Sequence, residues 1–189
     1  MEFLSNNIAL VVIVVLAIFL IILYNRLVAL RQTRKNAFSD IDVQLKQRYD
    51  LVPQLVSTVK GYAKHEKDLL EKVTEARAGA MKIHGSGADR AGAEGILGGA
   101  MMQLFAVAEN YPDLKADSSF VKLQDELSNI ENKIAAARRF FNNATSEYNT
   151  SCEQFPSVLI ARMFNFSQEE FFELPEGQEA AKEPVAVEF

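Results

Sequence analysis

The amino-acid sequence predicts an all-α protein, in which a single N-terminal transmembrane helix is followed by an antiparallel up-and-down bundle of long helices. Three observations support this fold class. An uninterrupted apolar run covers Ile8 to Tyr24. Downstream of it, apolar residues recur at intervals of three and four rather than two, which is the helical period. Apolar residues make up 49% of the 189-residue chain, enough for one buried core in addition to the run.

The apolar run, "IALVVIVVLAIFLIILY", would be about 26 Å long as a helix, close to the roughly 30 Å of a bilayer core. Leu4 and residues 27–30 can extend it. A secretory signal peptide would begin with basic residues and end at a small-residue cleavage site. This chain begins with the acidic "MEFLSNN" and continues with "YNRLVALRQ", so the run is predicted to be a retained single-pass anchor.

Basic residues near the anchor predict its orientation, because Lys and Arg are retained on the cytoplasmic side. None precedes the run, and four follow it: Arg26, Arg31, Arg34 and Lys35. We therefore predict a short extracytoplasmic N-terminus over residues 1–7 and a cytoplasmic main domain. The four side chains are also candidate contacts for anionic lipid headgroups, each worth about 1 kcal/mol near the surface.

Charge and cysteine content limit the partners and the chemistry. The net charge is −5, and basic residues are interspersed with acidic ones, so no broad basic surface for nucleic acid is predicted. Cys152 is the single cysteine, which excludes an internal disulfide. It lies on an apolar helical face and is predicted to be a buried small hydrophobe.

After the anchor, one helix is predicted to continue through Pro53 and to end near Ile83. Its apolar face keeps one phase on both sides of the proline, and consists of Ile41, Leu45, Val52, Leu55, Val59, Tyr62, Leu69 and Val73. A proline inside a helix leaves the carbonyl four residues back, here that of Tyr49, without its donor, at a cost of about 3 kcal/mol. We favour a continuous kinked helix. In the alternative, Asp50 caps a new helix that contains Pro53 in its first turn.

The rest of the chain is predicted to form further helices. Seven of the nine glycines lie between residues 79 and 99, which predicts a loop near 85–89 and no phosphate-binding loop, because no strand or Gly-Lys-Ser/Thr accompanies them. The predicted helices run from Arg90 to Glu109, from an Asp117 N-cap to Phe155 with a heptad-type apolar stripe, and from Ser157 to Met163. Residues 31–172 would form the bundle domain after a transmembrane helix and juxtamembrane turn over 8–30, and the acidic, proline-containing tail 173–189 would be disordered.

Four segments resemble the LemA family of bacterial membrane proteins. They are "SDIDVQLKQRYDLVPQLVSTVKGYAKHE", "LFAVAENYPDLKA", "FVKLQDELSNIENKIAAARRFFNN" and "YNTSCEQFPSVLIARMF". The resemblance runs from the anchor to about Phe172. It implies an N-terminal membrane helix, an antiparallel bundle and a place in the bacterial inner membrane, and it brings no catalytic residues with it. The chain departs from the family at Phe38, where tryptophan is expected, at Phe141, where tyrosine is expected, and at Asn165, where glycine is usual.

No catalytic, cofactor or metal site is predicted. His65 and His84 have no partner at helical spacing, and the chain contains no Glu-x-x-His of the kind that binds a di-iron centre. Four charged residues flank the apolar face around the proline and are candidate structural or interface residues together with Pro53. They are Asp40, Asp42, Arg48 and Asp50. Simple exposed pairs between them would contribute only about 0.2 to 0.5 kcal/mol each.

The sequence therefore favours a non-catalytic, membrane-anchored helical scaffold or adaptor that self-assembles and presents a cytoplasmic surface to other membrane proteins. We expect membrane lipids and other copies of the chain as partners, and no nucleic acid or small-molecule substrate. One alternative is a membrane-remodelling or lipid-sensing protein, whose basic residues and "SVLIARMFNF" segment both meet the bilayer. Another is an accessory subunit of a membrane enzyme, with "KGYAKHE" near its site.

Overall fold

The computed structural model describes residues 2–85 and 87–172, with side chains from residue 7 onward, and within these ranges it contains helices and no strands. The all-α class is thus confirmed. The helices are α1 (Glu2–Tyr62), α2 (Lys67–Ala80), α3 (Ala88–Ala108), α4 (Pro112–Lys115), α5 (Ser118–Glu153) and α6 (Ser157–Met163). The predicted acidic tail lies outside the described residues.

Helix α1 runs without interruption through Pro53, as predicted, and no new helix begins at Asp50. The prediction that this helix continues to Ile83 is wrong. Helix α1 ends at Tyr62, and a turn over residues 63–66 leads into α2.

Helix α2 returns alongside the last turns of α1. The Nε of Arg77 donates a hydrogen bond of 2.6 Å to the carbonyl oxygen of Tyr49, and Thr74 lines a groove together with Val56. The apolar pattern did not reveal this reversal, because Tyr62 and Leu69, the next residue of the predicted apolar face, are seven residues apart. A four-residue turn between them replaces one helical turn and leaves the seven-residue period unchanged.

The remaining helix boundaries lie close to those predicted. Helix α3 begins and ends within two residues of the predicted limits, and α6 has the predicted limits. The N-cap of α5 is Asp117, as expected. Its Oδ1 accepts the backbone N–H groups of Ser119 at 2.8 Å and Phe120 at 3.0 Å.

The chain divides into two compact units, and both α1 and α5 pass from one to the other. Unit 1 contains residues up to 37 and residues 140–169, and unit 2 contains residues 38–139 and the described residues from 170. The core of unit 1 is a cluster of Leu27, Tyr148, Cys152, Ile160 and Ala161. The core of unit 2 contains the predicted apolar face of α1 except Tyr62, which is 42% exposed because it lies at the end of the helix. It also contains apolar residues of α2, α3 and α5, among them Val73, Leu97, Leu104, Leu127 and Ile134.

Two described helices are long and apolar enough to cross a membrane. The first is the N-terminal part of α1, whose most apolar window is entirely exposed. The second is α3, in which 39% of the most apolar window is buried. Because α3 contributes charged side chains to the interior of unit 2, as described below, we treat it as a core helix and the N-terminal segment as the candidate membrane span.

Candidate functional site

Arg48 lies at the centre of unit 2 and connects three helices. Its guanidinium forms an ion pair with Glu94 of α3 and a second one, 2.7 Å long, with Glu131 of α5. The Glu94 side chain is 0% exposed, whereas that of Glu131 is 43% exposed. Removing two charges from water is expensive, and the pair is tolerated only because each charge has its partner in place. The Arg48–Glu94 pair therefore fixes how α1 and α3 meet.

Glu94 also binds the residue next to Arg48. Its other carboxylate oxygen accepts a hydrogen bond from the hydroxyl of Tyr49. Burial, and then this hydrogen bond, raise the pKa of Tyr49 above its ordinary value, so the phenol remains a neutral donor. One carboxylate of α3 thus holds two consecutive side chains of α1.

A second ion pair joins α1 and α3, and its α3 residue lies one helical turn before Glu94. Arg90 contacts Asp42 at 2.5 Å, and its guanidinium lies 5.4 Å from the centre of the Phe38 ring. Arg90 also donates to the carbonyl of Gly85 at 3.3 Å, which ties the loop before α3 to the helix. Phe38 therefore supplies an aromatic face for a cation, a role that tryptophan performs more strongly.

Arg138 completes a group of arginines inside unit 2. Its guanidinium lies 4.7 Å from the centre of the Phe172 ring. Burial, and then the like charge of Arg48, lower the pKa of Arg138 from its usual value. Among the described residues, the Nε atoms of Arg48, Arg90 and Arg138 are buried without a hydrogen-bond partner. The same is true of one buried acceptor among these residues, the Oε1 of Gln44.

The structure brings together some of the residues that the sequence singled out and leaves others apart. Arg48 and Asp42 belong to the ion pairs of unit 2, whereas Asp40, Asp50 and Pro53 are exposed. No sequence pattern identified the other residues of this group, which are Glu94, Glu131, Tyr49, Arg90 and Arg138. One signal for Glu94 was available, because it is the single charged residue in the apolar stretch "AGAEGILGGAM".

A groove of about 650 Å³ lies between the end of α1 and α2. It is lined by Val56, Lys60, Lys64, Lys67, Leu70, Glu71, Thr74 and Glu75. A neighbouring cavity of about 260 Å³ is lined by Pro53 and Arg77 among others. His65 lies in the adjoining turn and is exposed. The groove combines the apolar side chains of Val56 and Leu70 with three lysines and two glutamates.

Among the described residues, no group of three His, Cys, Asp or Glu side chains could hold a metal ion. His65 and His84 are both exposed and lie in the connections between helices. Cys152 is buried, and burial raises the pKa of its thiol.

The four basic residues after the anchor differ in their surroundings. Arg26, Arg31 and Lys35 have exposed side chains. Arg34 lies inside unit 1, where it pairs with Glu169 at 3.1 Å and donates from Nε to the hydroxyl of Thr145 at 3.1 Å.

The Arg34 guanidinium also stacks 4.8 Å from the centre of the Phe141 ring. Phe141 is one of the positions where the chain departs from the family pattern. Its aromatic ring still contacts an arginine, and only the phenolic hydroxyl of the expected tyrosine is missing.

Comparison with known proteins places these features in a family. A family model described as "LemA family" matches residues 37–189. Magnetosome protein MamQ of Magnetospirillum gryphiswaldense is 27% identical over 184 residues, covering 84% of this chain and 68% of that protein. Magnetosome protein MamQ 2 of Paramagnetospirillum magneticum is 25% identical over 179 residues, covering 82% of this chain and 66% of that protein.

Protein LemA of Metamycoplasma hominis is 24% identical over 142 residues, covering 75% of this chain and 65% of that protein. The matches thus span about two thirds of the length of these relatives. The resemblance that the sequence segments indicated is confirmed by the family match.

Proposed function

This chain belongs to the LemA family, and we propose that it is a non-catalytic, membrane-anchored helical scaffold that assembles with copies of itself and presents a cytoplasmic surface to other membrane proteins. The observation that carries the proposal is an exposed apolar face on α3, on the side opposite its buried ion pairs. Two relatives are named magnetosome proteins, and we propose a membrane-associated role for this chain as well.

The membrane anchor is supported by the N-terminal part of α1. This segment is helical and apolar and is about 26 Å long, and its side chains are exposed from Ile8 to Ile22. Because basic residues follow the run and none precedes it, we propose that the body lies in the cytoplasm, at the bacterial inner membrane.

We further propose that unit 2 is an antiparallel up-and-down bundle. The return of α2 along α1 supports this arrangement, as do the short connections over residues 63–66, 81–87 and 109–111. Short connections favour antiparallel neighbours.

The ion pairs of Arg48 and Arg90 hold α1 and α3 in one register. Unit 2 would therefore act in the assembly as a rigid body.

Self-association would use the outer face of α3, which consists of Ile96, Gly99, Met102 and Ala106. All four are exposed, and Ile96 and Met102 are 60% and 68% exposed. They recur at helical spacing and include small residues, so a second helix could approach closely. Copies anchored in one membrane already share a plane, which raises their effective concentration and lowers the entropic cost of pairing.

The adaptor role would use the groove between α1 and α2. Its three lysines outnumber its two glutamates, and together with the apolar side chains of Val56 and Leu70 they suit an acidic, partly apolar segment of another membrane protein. Lys60, Lys64 and Lys67 are exposed, so they are available to such a partner.

The proposal is tested by measuring the mass of the full-length protein in detergent-free nanodiscs and in detergent. We expect wild type to exceed a monomer, and the double variant Ile96→Glu, Met102→Glu to become monomeric with unchanged helix content. Val43→Glu is the matched control, because Val43 is an exposed apolar residue of α1 outside the α3 face. A wild-type monomer at all concentrations would contradict self-assembly.

A further inference from the structure

We propose, on the basis of the membrane anchor proposed above, that α6 and its flanking residues form a second membrane contact, which lies in the lipid interface where the anchor leaves the bilayer. The contact would be made by Phe155, Leu159, Met163 and Phe164. It is distinct from the outer face of α3, which belongs to the other unit.

Helix α6 packs directly against the end of the anchor. Leu27 is fully buried in a cluster with Ile160 of α6. The Tyr24 ring makes edge contacts with Phe164 at 4.8 Å and Phe166 at 5.7 Å between ring centres. The last residue of the apolar run and the end of α6 therefore lie at the same level in unit 1.

The backbone at the end of α6 fixes this packing. Asn165 has φ of +55°, and the N–H of Phe166 donates to the carbonyl of Ala161 at 2.9 Å. This is the hydrogen bond that closes a helix with a left-handed residue after its cap. The turn directs Phe166 back onto the cluster and under the guanidinium of Arg31, 5.8 Å away.

The same segment also exposes apolar side chains to its surroundings. Phe155 and Met163 are 80% and 67% exposed, and Leu159 and Phe164 are also exposed. Single exposed apolar residues are ordinary, but four within ten residues, next to a candidate membrane span, form a patch. We therefore expect this patch to be covered by an apolar medium, and the nearest one is the bilayer that the anchor enters.

The length of the anchor run, compared with the thickness of the bilayer core, places the patch at the level of the lipid interface. The anchor run is about 26 Å long and the bilayer core is roughly 30 Å thick, so a few ångströms remain beyond Tyr24. Leu27 cannot face lipid at that level, because it is covered by α5 and α6. A small cavity of about 80 Å³ is lined by Leu23 and Phe155, which places Phe155 beside the end of the run. The surface available to lipid just past the anchor is thus that of α6.

Charges around the patch suit lipid headgroups. Arg26, which lines the small cavity with Phe155, and Arg162, which precedes Met163, are both exposed. Interfacial helices combine apolar residues with basic ones, whose long stems reach toward the headgroups. A bilayer containing anionic lipid therefore matches both the apolar and the charged parts of this surface.

The test uses the full-length chain in nanodiscs of zwitterionic and anionic lipid, with an environment-sensitive fluorophore on one introduced cysteine. Cys152→Ala gives a cysteine-free background, because the chain has no other cysteine. Labels are placed at Leu159 and Met163 for the patch, at Leu16 for the anchor and at Val43 as the exposed control. Lipids that carry a quencher report direct contact with the bilayer.

We expect blue-shifted emission that lipid quenches at positions 159, 163 and 16, and neither effect at position 43. Quenching at 16 without quenching at 159 and 163 would overturn this inference and leave the anchor in place. Absence of quenching at 16 would reject the proposed anchor and this contact with it. A blue shift at 159 and 163 that lipid does not quench would assign the patch to a protein partner and would also overturn it.

Discussion

Arg77 donates a hydrogen bond of 2.6 Å from its Nε to the carbonyl oxygen of Tyr49, which is the carbonyl that Pro53 leaves without a helical donor. The proline thus does more than interrupt one bond within α1. It creates an acceptor on the surface of the helix, and the returning α2 uses that acceptor to fix its position.

This relationship predicts a coupling between Arg77 and Pro53. Arg77→Met should lower the free energy of unfolding by about 1.5 to 3 kcal/mol, because it removes a charged donor from a carbonyl. In a Pro53→Ala background the new N–H can satisfy Tyr49, so the same change should cost less. Thermal or denaturant unfolding of the four proteins in detergent gives the coupling energy. Lys72→Met, an exposed lysine of α2, is the control, and equal costs of Arg77→Met in both backgrounds would refute the coupling.

The Arg48–Glu94 pair predicts a large and specific loss of stability. Glu94→Gln leaves the buried guanidinium without its nearest charge, and the expected cost is about 3 to 5 kcal/mol. Glu131→Gln removes the half-exposed partner of the same arginine and should cost no more than about 1 kcal/mol. Unfolding midpoints of the full-length variants separate the two. Similar losses for both would show that burial of Glu94 does not govern the interaction.

The left-handed conformation of Asn165 predicts opposite effects of two small substitutions. Asn165→Ala should destabilise unit 1 by about 1 to 2 kcal/mol, because alanine lacks the short polar side chain that allows asparagine to adopt this left-handed φ. Asn165→Gly should be neutral or stabilising. The control is Asn143→Ala, an exposed helical position where alanine is favourable. If alanine and glycine behave alike at position 165, the backbone assignment is incorrect.

Asp117 predicts a pH dependence of stability. The hydrogen bond from Tyr62, and then those from backbone N–H groups, lower the pKa of Asp117 below its ordinary 3.8. A carboxyl group with a lower pKa in the folded state stabilises the fold above pH 3.8 and loses this contribution as the pH falls through the folded-state value.

Asp117→Asn keeps a side chain that can cap α5 but removes the charge. The difference in melting temperature between wild type and this variant should be constant near neutral pH and shrink below pH 3.8. Tyr62→Phe should reduce the difference as well, because it removes the hydrogen bond that the Tyr62 hydroxyl donates to the Asp117 carboxylate. A gap that is unchanged in acid would contradict the role of the carboxylate.

Local signals were sufficient to predict much of the fold. The apolar face of α1 identified residues that are buried, Asp117 was recognised as a cap, and the limits of α6 followed from Pro156 and the apolar run after it. The reversal after Tyr62 was missed, because the turn contains neither glycine nor proline and preserves the heptad spacing.

The candidate site could be predicted only in part. Arg48 and Asp42 were recognised because they flank the apolar face. Their partners Glu94 and Arg90 lie in a different helix, and pairing them requires the register between α1 and α3. That register is set by packing across the whole unit, which no local pattern encodes.

The most direct test of the proposed scaffold is disulfide crosslinking in native membranes. Met102→Cys is introduced into the Cys152→Ala background, so that the outer face of α3 carries the single thiol. Symmetric pairing of two copies through this face would bring residue 102 close to its counterpart.

We expect a strong dimer band from Met102→Cys on mild oxidation, and little from Val43→Cys in the same background. Adding Ile96→Glu should abolish the band. A Met102→Cys protein that crosslinks no more than the Val43→Cys control would contradict self-association through α3.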